Sequence, residues 1–272
     1  MVEKKMVEKE MVEKKVVKVL FIKGFNTHRK IDNIYFVFDI YAIKNKYIKI
    51  EYFNYEPSEN INEVYNKLIN EIQYTNYNIL IGHSLGGGLL LKYCKEYDIS
   101  LFDKIIFLMP YIYTSPYSLV HILLKMNLIS IESICLPQIL LSTNCTENYY
   151  SFIPLKQIFQ VYTNVFLPLP EIIKILNSSK NIYFVYANNE KITTIDNYIL
   201  DKINDVIYVD GTHVGFCERN YNSIHFFRML DDLFENKIIK KGKSKHDMQN
   251  EYIVIENDLE NNTISNYIKK II

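Results

Sequence analysis

The sequence predicts an α/β domain: a mostly parallel central sheet with helices on both faces and an inserted, mainly helical cap. Two observations carry that expectation. Short β-branched or aliphatic runs alternate with amphipathic segments over 16–109 and again over 181–234, the order that sets crossover helices between parallel strands. The run Asn78-Ile79-Leu80-Ile81 also meets Gly82-His83-Ser84-Leu85-Gly86-Gly87 just before a helical pattern. Such a strand, tight turn and helix would hold Ser84 in a strained backbone conformation. Gly82 and Gly86 permit the turn because a Cβ at either position would clash.

The elements follow in order. Val16 to Ile22 is continuous, β-branched and apolar, as a parallel strand buried on both faces must be. It ends in Lys23-Gly24-Phe25-Asn26-Thr27. Ile31, Ile34, Tyr35, Phe38 and Ala42 recur at helical spacing, and Ile48 to Phe53 reads as the next strand. Ile61, Val64, Tyr65, Leu68, Ile69 and Ile72 mark a second helix, with Asn60 and Glu63 placed as a capping pair. A helix from about Gly86 to Tyr97 follows the Ser84 turn, then a strand over Lys104 to Met109. The alternation then lapses until about Asn181. The interval 110–180 is rich in Leu, Ile, Tyr and Phe and is punctuated by Pro116, Pro137, Pro154, Pro168 and Pro170. It reads as an insertion of short, apolar helical pieces between strands. Beyond it come a strand at Asn181 to Tyr186, a short helix at Thr194 to Lys202 and a strand at Asp205 to Val209. The last helix spans about Asn222 to Phe234, with Ile224, Phe227, Leu230 and Phe234 inward.

At 272 residues and 49% hydrophobic content, the chain suits one core-bearing domain with an insertion, over 16–239. Residues 1–15 are a charged five-residue repeat, expected as a frayed tail because so short a helix is marginal alone. Residues 240–272 are a polar tail. Lys plus Arg equals Asp plus Glu, at 31 each, and no basic patch interleaved with aromatics suggests nucleic acid. Cys94, Cys135, Cys145 and Cys217 are scattered without metal-ligand spacing, so they read as free thiols. The charged start lacks the apolar core of a secretory signal, and no apolar run reaches the roughly 18 residues of a membrane span. A cytoplasmic protein is expected. Leu119 to Leu141 is the greasiest segment, and packing in the cap is favoured over contact with a membrane surface, because Lys125, Asn127 and Glu132 interrupt it.

The Gly82–Gly87 motif in this context resembles that of the α/β-hydrolases, and the resemblance runs from about Val16 to Phe234. It implies a serine hydrolase in which an acid and then a histidine follow the serine in chain order. Ser84 is the implied nucleophile, since a hydroxyl attacks an acyl carbonyl only when a base takes its proton. His213 follows the last strand after Gly211 and is the implied base. His28, His83, His121, His225 and His246 lack that placement, and His83 is expected beneath the turn. Glu190 follows the penultimate strand in Ala187-Asn188-Asn189-Glu190 and matches the acid position with Glu for Asp; Asp196 is the alternative. The oxyanion donors implied are the backbone N–H groups of Leu85 and of Phe25, although Lys23 stands where family members usually carry histidine.

The resemblance also implies that the interval 110–180 is a cap, an apolar wall that would keep water from a pocket, and with it a carboxylic ester substrate with an apolar acyl group, hence an esterase or lipase. A thioesterase or amidase of the same mechanism is the nearest alternative, and a binding protein that keeps the fold without catalysis is the rival class. The mechanism requires no metal or cofactor. Gly86-Gly87-Gly88 lacks the lysine of a phosphate-binding loop, and its glycines fit close helix–sheet packing instead.

Overall fold

Runs of apolar residues too continuous for a half-exposed strand demand a sheet covered on both faces, and the chain builds one. The computed structural model describes residues 15–25, 33–56, 59–112, 135–137, 152–154, 160–161, 163–190, 193, 195–204, 206–209, 211, 213 and 221–234. In chain order these hold β1 (Val17–Ile22), α1 (Asn33–Lys44), β2 (Ile48–Phe53), α2 (Ile61–Tyr74), β3 (Ile79–His83), α3 (Leu85–Glu96) and β4 (Lys104–Leu108). Then come β5 (Cys135–Pro137), β6 (Phe152–Pro154), α4 (Leu169–Leu176), β7 (Ile182–Ala187), α5 (Asn197–Leu200), β8 (Val206–Val209) and α6 (Tyr221–Phe234). The main sheet has the order β2-β1-β3-β4-β7-β8. Each of its five pairings is parallel.

Strand alternation divides the interior into two cores. Leu20, Ile22, Leu80, Ile105, Phe107, Phe184 and Tyr186 pack with buried residues of α2, α3, α4 and α5. Their strand neighbours Val19, Phe21, Ile79, Ile81, Ile106, Leu108, Val185 and Ala187 pack with α1 and α6. Each large aliphatic or aromatic side chain so buried contributes about 1.5–3 kcal/mol relative to exposure. Aromatic edges organise the second core: Phe21 lies 4.8 Å from Phe38, and Phe38 meets Phe226 edge-on at 5.8 Å.

On α6 Leu230 is buried as expected, together with Phe226, Met229 and Leu233. Phe234 is only partly buried, against Tyr41. Asn60 does cap α2, but its Oδ1 accepts from the Asn62 N–H at 2.9 Å. Within 110–180 the described residues include α4 and also an antiparallel ribbon of β5 and β6, which the helical spacing did not suggest. The tails 1–14 and 235–272, most of Leu119 to Leu141, Cys145, Cys217, His28, His121 and His246 lie outside the described residues, as do the side chains of Ile224, His225 and Phe227. Among the described residues no helix is long and apolar enough to cross a membrane.

Candidate active site

In a parallel sheet every strand ends at the same edge, so loops that follow neighbouring strands gather there. Ser84 follows β3, the Lys23–Phe25 turn follows β1, Met109 to Tyr111 follow β4, Glu190 follows β7, and His213 follows β8. Ser84 has φ 51°, one of only two non-glycine residues with positive φ among those described. Its strain is held by backbone bonds: Ser84 N–H donates to Leu108 O at 3.1 Å, and Ser84 O accepts from Tyr111 N–H at 2.7 Å. The residue as a whole is 9% exposed.

The glycines around it are spaces that nothing larger fits. A Cβ on Gly86 would lie 2.5 Å from Lys23 O and closer still to Ile22 O, because α3 starts directly against the end of β1. Both atoms are backbone and cannot swing away. Gly86→Ala is therefore expected to cost about 3 kcal/mol or more through overpacking. That corresponds to a melting temperature roughly 6–12 °C lower, readable by circular dichroism; an unchanged Tm would contradict the packing described.

His213 and Glu190 meet in a buried pair. His213 Nδ1 is 2.9 Å from Glu190 Oε2, with the carboxylate side chain fully buried. The other carboxylate oxygen, Oε1, accepts the Thr193 N–H at 2.9 Å. An ionised carboxylate can only accept, so the imidazole proton sits on Nδ1 and the Nε2 lone pair is left for chemistry. Asp196 has a different place, at the residue before α5, where its carbonyl accepts from Ile199 and Leu200.

His83 lies beneath the turn, as expected, with 1% of its surface exposed. Its Nε2 is 3.3 Å from the His213 carbonyl, and its ring centroid is 4.9 Å from that of His213. Burial above all, and then the neighbouring His213, push the His83 imidazole down to about 3 from an ordinary 6.5. It is therefore neutral, and Nε2–H donates to the carbonyl. A histidine that protonates more readily in the unfolded chain stabilises the fold fully above its unfolded value. That stability is lost as pH falls through the interval from 6.5 to about 3, with a slope approaching 1.4 kcal/mol per pH unit at ~25 °C. Urea unfolding should show this slope between about pH 4 and pH 6 and a plateau above about pH 7, and His83→Gln should flatten the slope. An equal slope in both proteins would assign the acid sensitivity elsewhere.

The β1 turn runs against the serine. A Cβ built on Gly24 would stand 2.9 Å from Ser84 Cβ, and Phe25 follows, partly buried against the first core. Leu85 is the first residue of α3, so its N–H has no acceptor within the helix and belongs to the positive end of the helix dipole. Lys23 is buried, with Nζ 4.9 Å above the Tyr55 ring. Tyr55 Oη–H donates to the Lys23 carbonyl at 3.2 Å. The structure thus brings Glu190 to His213, and the Gly24 turn and His83 to Ser84. Among the described residues no hydrogen bond joins Ser84 Oγ to His213. Catalytic bonds of this kind commonly tighten only when substrate is bound.

Sequence reasoning missed Thr193. It is 1% exposed and uses its N–H, hydroxyl and carbonyl at once. The only local signal was its position three residues after Glu190.

Comparison of the sequence with protein-family models and with curated proteins found no match. Comparison of the fold with solved structures found many. A monoacylglycerol lipase from Paleococcus ferrophilus is similar at TM-score 0.60 and 15% identity, covering 80% of this chain and 95% of its own. A soluble variant of the monoglyceride lipase of Saccharomyces cerevisiae is similar at 0.57 and 13%, covering 82% and 88%. A structure from a study of carboxylesterases of Nitrososphaera gargenis is similar at 0.54 and 10%, covering 81% and 92%. The chain has the α/β-hydrolase fold.

Proposed function

We propose that this protein is a serine hydrolase that cleaves a carboxylic ester through an acyl-enzyme. The observation that carries the reading is the strained Ser84 at the sheet edge that also holds the buried Glu190–His213 pair. Ser84 Oγ attacks the ester carbonyl as His213 Nε2 takes its proton, and Glu190 holds the resulting imidazolium. The N–H groups of Leu85 and Phe25 receive the oxyanion. His213 then protonates the leaving alcohol, which departs as the tetrahedral intermediate collapses. Water, deprotonated by the same Nε2, attacks the acyl-enzyme and frees the acid. The apolar composition of 110–180 supports an apolar acyl group, and the fold's likeness to lipases that act on monoacylglycerols agrees with it.

The test is labelling with a fluorophosphonate, read by intact mass on wild type, Ser84→Ala and His213→Ala. One adduct on the wild type alone supports the reading and opens a screen of esters, thioesters and amides with graded acyl chains. A folded wild type that takes no adduct counts against it and favours a binding protein that has kept the fold.

A further inference from the structure

Thr193 sits at the junction of three loops at the active-site edge. Its hydroxyl lies 3.2 Å from the Met109 carbonyl and 3.5 Å from His213 Nδ1. Its N–H donates to Glu190 Oε1, and its carbonyl accepts from Tyr186 Oη–H at 3.4 Å. The same Tyr186 oxygen accepts the Ile195 N–H at 2.9 Å, which closes the loop after β7 onto its own strand.

A hydroxyl has one proton to give. Met109 O is a carbonyl and can only accept, so that proton is committed to it, and Thr193 Oγ1 presents lone pairs to the imidazole. The carbonyl points there because Met109 has φ 38°, the second positive-φ residue among those described. Its N–H is meanwhile still held in the sheet by Val185 O at 2.9 Å. A left-handed methionine is unfavourable by about 1–3 kcal/mol and persists only where surrounding bonds fix it.

Resting on the hydrolase reading above, we propose that Thr193 is a positioning residue that locks the tautomer and angle of His213. Glu190 alone leaves the imidazole free to rock about one hydrogen bond. Two acceptors converging on Nδ1–H, one anchored through β4 and one through the loop after β7, fix its plane. Either one would be unsatisfied if the proton moved to Nε2. Thr193 also fixes the acid itself, since its N–H holds the carboxylate oxygen that faces away from His213. The hydroxyl and the backbone of one residue thereby set both members of the pair.

The experiment compares wild type, Thr193→Val, Thr193→Ser and Thr193→Ala, all as the full chain with folding checked by circular dichroism. Three quantities are measured: the rate of fluorophosphonate labelling, kcat and KM on a p-nitrophenyl ester, and the downfield proton resonance of His213 Nδ1–H in 15N-histidine protein. That resonance is assigned by its loss in His213→Gln. Thr193→Val should label and turn over about 10- to 100-fold more slowly with KM unchanged, as a misaimed base does, and its Nδ1–H resonance should move upfield. Thr193→Ser should recover to within about threefold of wild type. If Thr193→Val does not fold, Thr193→Ala carries the same comparison. Labelling of a folded hydroxyl-less variant at the wild-type rate, with the resonance unmoved, overturns the proposal. A wild type that does not label overturns the hydrolase reading instead, and the resonance still decides whether Thr193 holds His213.

Discussion

Ser84→Ala is expected to lower kcat on an activated ester by about 10⁵- to 10⁶-fold while leaving the melting temperature where it was. The two halves of that result have separate causes. Ser84 occupies the position before α3, but its side chain makes no capping hydrogen bond, so α3 loses nothing when Oγ is removed. Alanine carries the same Cβ as serine and meets the same cost at φ 51°, which the bonds to Leu108 and Tyr111 continue to impose. Stability should therefore change by no more than about 0.5 kcal/mol. Activity falls because the attacking atom is gone, and what survives reflects substrate held against the oxyanion donors, typically 10³- to 10⁴-fold above water. Initial rates with a p-nitrophenyl ester and thermal unfolding on the same preparation check both halves. A variant that kept more than about one per cent of wild-type turnover would place the nucleophile elsewhere.

What the sequence made legible is what the chain encodes locally. The inner strands of the main sheet announce themselves because burial on both faces leaves them almost wholly apolar, as in Ile79–Ile81 and Ile105–Leu108. The Ser84 turn announces itself because two glycines flank it, and the structure gives each a backbone atom in the place of its missing Cβ. Glu190 and His213 could be sought by position, since a parallel sheet delivers whatever follows its strands to one edge. The rest depends on contacts between distant residues. Thr193 and Met109 are 84 positions apart, and nothing about a threonine in a polar loop signals that its hydroxyl will be spent on a strand end. The ribbon of β5 and β6 was hidden because two three-residue strands are too short to show an alternation.

Glu190→Gln should lower kcat by about 10⁴-fold, the loss that follows when an acid of this kind becomes an amide and the histidine takes the wrong tautomer. The geometry here says why the loss should be so large from so small a change. Thr193 N–H requires an acceptor at the position of Oε1, and glutamine has only one, its carbonyl oxygen. The amide nitrogen must then stand where Oε2 faces His213 Nδ1, and it brings protons of its own. Two donors cannot face each other across 2.9 Å, so the imidazole proton moves to Nε2. With that nitrogen protonated, the base has no lone pair for the Ser84 proton. Thr193 Oγ1, 3.5 Å from Nδ1, is too distant an acceptor to hold the proton there against that clash. Glu190→Asp keeps the charge and the acceptor pattern but retracts the carboxylate by one methylene, so its loss should be nearer 10²-fold, the cost of roughly an ångström of misplacement. The order wild type, Asp, Gln in kcat, with KM steady, is the expected outcome. If Glu190→Gln instead retained a tenth or more of wild-type turnover, the acid would have to be sought elsewhere, with Asp196 the residue to replace next.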